Sequence, residues 1–164
     1  MKKIEIKEFG GPEVLEIKNV DIGKPDQNEV LVKNLSIGIN YIDTYHRSGL
    51  YPIPLPSGIG LEACSIIEEV GSEVKLFKVG DRVTRASMPI GTYSEKQIIP
   101  EDKLVKVPDN ISDEVASCIT LKGITAEYLL HRTYQVKKGD KILYHAAAGA
   151  LGQIFFPQDL HELF

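Results

Sequence analysis

Between Lys3 and Pro100 the apolar residues alternate with polar ones or gather in short runs: KIEIKEF, VLEIKNV, EVLVKNLSIGI, CSIIEEV, DRVTRA and SEKQIIP. A period of two is what a strand with one face on a core produces. Glycine, proline, asparagine and aspartate stand at the joints, as in FGGPEVL, KVGDRV and KKGDKIL, which is the order turn then strand. The first hundred residues therefore read as short strands and hairpins. From Ile37 to Gly60 the alternation fails, and the run IGINYIDTYHRSGLYPIPLPSGIG holds three of the nine prolines and three of the seven tyrosines. It is expected to be an irregular functional loop carrying the polar-tipped side chains Asn40, Asp43, Tyr45 and Tyr51.

After VKVPDNIS the spacing becomes three and four in DEVASCI and TAEYLLHRTY, which predicts helix. Ser112 is placed to cap it, Asp113 and Glu114 suit its positive first turn, and Gly123 is expected to divide it into two pieces. DKILYHA then predicts a return to strand, and AAAGALG a glycine-containing turn into a further helix.

Composition narrows the function classes. With 43% hydrophobic and 26% charged residues among 164, the chain is of ordinary globular type. A formal net charge of -4 offers no basic surface for nucleic acid or anionic lipid. MKKIEIKEFGG has no apolar stretch behind its lysines, and no window nears about 18 apolar residues, so a soluble cytoplasmic protein is expected. Cys64 and Cys118 stand far apart, without a C-x-x-C pair, and are expected to be reduced, buried and structural.

The chemistry is concentrated at one turn. A strand followed by A-A-A-G-A-L-G lets the backbone approach a pyrophosphate, with helix dipoles aimed at it, and makes Gly149 and Gly152 the close-approach positions. Two glycines three apart are a weak signal unless a strand precedes them.

Taken in order, FGGPEVL, SIGINYIDTYHRSGLYP, PSGIGLEA, VGDRV, GTYSEKQII, LKGITAEYLL and HAAAGALG resemble the NADPH:quinone oxidoreductases, the zeta-crystallin-like branch of the medium-chain dehydrogenase/reductase superfamily. The resemblance implies a mainly β fold with an α/β remnant. Residues 1–111 would be a GroES-like β-barrel lobe. Residues 112–164 would be a linking helix with the first strand and phosphate turn of a Rossmann fold cut short. It further implies hydride transfer from NADPH to a quinone or enone, with Asn40, Tyr45 and Tyr51 as catalytic residues. Asn40, Thr125, Tyr128, Gly149 and Gly152 would be cofactor-binding. The Tyr45 hydroxyl would donate to an oxygen gaining negative charge. Helix packing is an equal reading of Thr125 and Tyr128, and His145 is expected to end a strand rather than act as a base. Zinc-dependent members of the superfamily carry a cysteine where Asn40 stands and a histidine where Leu61 stands. An amide and an isobutyl group replace neither ligand, so no zinc is expected.

The chain also departs from the family. Only twelve residues follow Gly152, fewer than a βαβ unit needs, and Pro157 would break a helix there. Ala150, Leu61 and Ser65 replace residues the family favours, and Ser65 is expected to crowd a close backbone approach. These features lead to the expectation of a truncated reductase that is inactive alone. It would form a homodimer or be completed by a second chain carrying the missing half in trans, or it would be a non-enzymatic barrel fragment.

Overall fold

The computed structural model describes residues 1–156. The chain forms two compact units, Met1–Cys118 and Ile119–Phe164. The first contains β1 (Lys2–Ile6), β2 (Glu16–Asn19), β3 (Glu29–Gly38), α1 (Tyr41–Ser48), β4 (Ser57–Gly58), β5 (Glu62–Val70), β6 (Arg82–Ala86), β7 (Lys96–Pro100) and β8 (Val105–Lys106). All six strands expected from alternation are present. The very short β4 and β8 lack the length for an alternating signature, and only their pairing reveals them.

Every strand pair is antiparallel. One sheet has the order β2-β1-β4 and the other β7-β3-β5-β6-β8. The ten-residue β3 is the spine of the larger sheet, paired with β5 on one side and β7 on the other. Its register against β5 shifts between Leu31 and Val32 and again between Asn34 and Ser36. Such bulges bend a strand and re-aim a side chain. Val30, Val32, Ile67, Val83, Ile99 and Leu104 form the principal core, with Val74 and Phe77 packed against it. A smaller cluster of Cys64, Val107 and Ala116 seats the first turns of α2 (Asp113–Glu127) on the sheet.

Four differences from the sequence reading have local causes. Residues 41–48 are helical rather than irregular: Asn40 takes the extended cap conformation, its backbone N–H donates to the Asp43 carboxylate, and two T-stacked tyrosines line the helix. α2 continues through Gly123, where an added Cβ would meet nothing within 4 Å; the glycine is a propensity cost of about 1 kcal/mol, too small to end a 15-residue helix. After Glu127 the helix widens into one π-turn, Tyr128–Thr133. The expected strand DKILYHA, residues 140–146, pairs with no strand among the described residues, because a ladder needs a neighbour and the described part of the second unit presents none. Within that unit Ala150–Phe155 forms α3, six residues long. Pro157, on which the sequence reading also bears, lies outside the described residues.

Ser112 does cap α2, its hydroxyl accepting from the Val115 N–H at 3.3 Å. Arg82 holds the same helix end with two N–H donors on Asp113 Oδ1, at 2.9 and 2.7 Å. The cysteines divide: Cys64 is buried as expected, whereas Cys118 is exposed, because it follows the buried Ala116 and Ser117 onto the outer face of α2.

Candidate functional site

The structure brings Tyr45 and Tyr51 together, on α1 and the turn behind it, while Asn40 caps the start of the same helix. Asn40 is 7% exposed and is fixed at both ends. Its Nδ2 donates to Glu62 Oε2 on β5 at 2.9 Å, and its backbone N–H donates to Asp43 Oδ2 at 2.9 Å. Tyr45 is half-buried and makes edge contacts with Tyr41 and Tyr51 at ring-centroid distances of 5.3 and 5.2 Å. The Tyr51 N–H donates to the Tyr45 carbonyl at 3.2 Å, so the turn after the helix holds the second ring against the first. Tyr41 and Tyr51 are mostly exposed. The result is an open wall of three tyrosine rings on a helix whose cap residue, Asn40, is buried and hydrogen-bonded. Such a surface can take a flat conjugated ring by edge or offset contact.

Asp43, in the first turn of α1, is 4% exposed. Its Oδ2 accepts from the Asn40 N–H and from the Tyr93 hydroxyl, the latter at 2.9 Å, while its Oδ1 is buried with no partner. Asn40, Asp43, Tyr93, Ile39 and Ile59 line a cavity of 160 Å³. Burial, then the bond to Asp43 and its negative charge, push the Tyr93 hydroxyl well above the usual tyrosine range. Sequence reasoning missed Tyr93, which lies fifty residues from Asp43; its only local signal is GTYSE, a turn before a strand.

Gly60 explains how Tyr93 reaches that place. Its φ is +97°, and an added Cβ would fall 2.2 Å from Thr92 Oγ1 and 2.5 Å from Tyr93 Cδ1. The absent side chain thus makes room for the 92–93 segment, whose N–H groups bond to the Gly60 and Ile59 carbonyls.

The other sequence-predicted residues belong to the second unit. The Thr125 hydroxyl donates to the Leu121 carbonyl one turn back at 2.7 Å, and Tyr128 is exposed at the start of the π-turn. Gly149 precedes α3, and Gly152 lies within it. A Cβ on Gly152 would fall 2.1 Å from the Ala147 carbonyl oxygen, so the space the glycine opens is filled by the turn itself. His145 lies in the unpaired segment.

In the first unit Leu61 is a buried core side chain, and Asn40 uses its amide nitrogen as a donor toward Glu62, the opposite of what a cation requires. Among the described residues no three of His, Cys, Asp and Glu converge as a metal site. None of the described helices is long and apolar enough to cross a membrane.

Two antiparallel sheets with a capping helix at residue 113 and a polar site at the mouth of β3 and β5 define the class. Residues 26–109, just over half of the chain, match the alcohol dehydrogenase GroES-like domain, and the chain belongs to that family within the medium-chain dehydrogenase/reductase superfamily. Its homologues are quinone oxidoreductases. It is 53% identical over 152 residues to the quinone oxidoreductase of Pseudomonas aeruginosa, covering 92% of this chain and 47% of that protein. The 2-haloacrylate reductase of a Burkholderia species is 44% identical over 159 residues. The crystal structure of Escherichia coli quinone oxidoreductase complexed with NADPH superposes with a TM-score of 0.91 at 49% identity, over 94% of this chain and 48% of that one. The chain thus spans about half the length of the curated relatives it matches.

Proposed function

We propose that these residues are the acceptor-side part of a zinc-independent NADPH:quinone or enone oxidoreductase, in which hydride passes from NADPH to a conjugated carbonyl. The observation that carries this reading is the paired rings of Tyr45 and Tyr51 on a helix capped by Asn40, whose side-chain amide is held by Glu62 and whose backbone N–H is held by Asp43. Proximity and alignment are what hydride transfer demands, and a rigid amide with a flat aromatic surface supplies both. Tyr45 carries the hydroxyl available to an acceptor oxygen as it gains negative charge. Zinc independence is supported by the donor set, since an amide donor and a leucine occupy the two ligand positions. Residues 1–111 are proposed as the barrel domain, and residues 112–164 as the linking helix with the start of a nucleotide unit. Thr125, Tyr128, Gly149 and Gly152 are proposed to contribute to cofactor binding in the whole protein. The two free cysteines suit a cytoplasmic location.

These residues alone are proposed not to hold NADPH, because Ala147 fills the Gly152 space and α3 is short. The test has two arms. Titrating the purified 164-residue chain with NADPH to about millimolar should leave nicotinamide fluorescence unchanged, and saturable enhancement would overturn this part. Supplying the nucleotide-binding half of the Pseudomonas relative in trans should produce NADPH-dependent quinone reduction that Asn40→Leu lowers. No turnover from a well-folded mixture would favour a non-enzymatic barrel fragment.

A further inference from the structure

The site's side chains rest on a line of hydrogen bonds that begins two strands away. On β5 the buried Ser65 hydroxyl donates to Asn34 Oδ1 at 2.7 Å. The Asn34 amide, re-aimed by the β3 bulge, donates to the Thr92 carbonyl at 3.0 Å and to the Ser94 carbonyl at 2.8 Å. Those two carbonyls flank Tyr93, so one side chain grips the backbone on both sides of it. Tyr93 then donates to Asp43, and Asp43 accepts the Asn40 N–H. Ser65, expected from the family resemblance to crowd a close backbone approach, instead makes a hydrogen bond that orients the amide holding the Tyr93 segment.

We propose that Tyr93 is a positioning residue of this site, acting through Asp43 to fix Asn40 and the start of the tyrosine-bearing helix, with Ser65 and Asn34 as its support. The proposal rests on the acceptor-site reading above. Its physical basis is the accounting at Asp43. A carboxylate buried to 4% exposure has one oxygen without a partner, so the two donors on the other oxygen supply its side-chain hydrogen bonds. Removing the phenolic hydroxyl leaves only the Asn40 N–H, and the carboxylate then gains by turning or drawing in water. Either movement releases the Asn40 backbone. A simple packing role for the Tyr93 ring does not have this consequence, because phenylalanine preserves the ring.

Backbone amide hydrogen exchange of the 164-residue chain, read residue by residue, tests this without cofactor or substrate. In Y93F the Asn40 amide should exchange about tenfold faster, while the Ile67 amide, bonded to the Asp81 carbonyl in the core, stays within about twofold of wild type. S65A, a milder variant at the far end, should speed the Asn40 amide by about threefold and shift the side-chain amide resonances of Asn34. Unchanged Asn40 exchange in both variants, or equal acceleration of Asn40 and Ile67, would overturn the proposal. Should Y93F fail to fold, S65A decides alone. Because the chain has no tryptophan, binding of 9,10-phenanthrenequinone can be followed by tyrosine quenching. About fivefold weaker binding in Y93F links the line of bonds to the acceptor site. No quinone binding by wild type would sink the acceptor reading, and the exchange result would still decide the positioning claim.

Discussion

Burial decides what the reactive side chains can do, and the two cysteines show it most plainly. Cys64 has no exposed surface, and burial, with a contribution from Asp113, pushes its thiol up to about 11. Cys118 is exposed on α2. With a disulfide-exchange reagent at about pH 8, Cys118 should react at once and Cys64 at least about a hundredfold more slowly, only as the barrel opens. Equal rates would contradict the placement of Cys64. The raised thiol also fixes a pH dependence. Above about pH 9 the unfolded chain ionises this cysteine while the folded chain keeps it protonated, so stability falls from there toward about pH 11. The hydroxyl of Tyr93, raised in the same sense, extends the fall to higher pH. Denaturant midpoints of wild type and Cys64→Ala across this range should differ in slope, the variant being flatter. Arg85 offers the contrasting case of a buried base. Burial lowers it to about 10, and its donors are met by the Ser87 and Pro89 carbonyls and Gln97 Oε1.

At the scale of elements, the first turn of α2 is fixed to the barrel by a set of specific bonds. Ser112 caps it, Arg82 clamps Asp113, the Thr84 hydroxyl donates to the Ala116 carbonyl, and Ser117 is wholly buried. Ser112→Ala should therefore cost about 0.5–2 kcal/mol, measured by chemical denaturation, and should leave the β-sheet signal unchanged. A neutral result would mean that the Asp113 clamp alone holds the helix end. α1 obeys the same logic. Its eight residues are too few for a stable isolated helix, and what makes them helical is the Asn40–Asp43 bond with tertiary anchoring through Tyr93 and Glu62. This is why the segment reads as a loop: a helix of two turns has too little periodicity to register, and three prolines follow closely behind it.

At the scale of the molecule, both buried apolar clusters lie within Met1–Cys118, and the first unit has its own complete hydrogen-bonded sheets. A fragment of residues 1–118 should unfold in one cooperative transition with a denaturant midpoint close to that of the full chain. A fragment that fails to fold would show that the second unit is needed for the barrel. The alternating pattern by itself determined the six longer strands and the β-rich class, and a capping residue ahead of helical spacing determined the cap at Ser112, because each depends on neighbours in sequence. Family motifs singled out Asn40, Tyr45 and Tyr51. Only the tertiary structure decided that residues 41–48 are helical, that residues 140–146 pair with no strand among the described residues, that Gly152 closes on Ala147, and that the Tyr93 hydroxyl reaches Asp43. Those outcomes depend on which distant backbone lies within about 3 Å, and a hydrogen bond across fifty residues leaves no periodic trace in the chain that makes it.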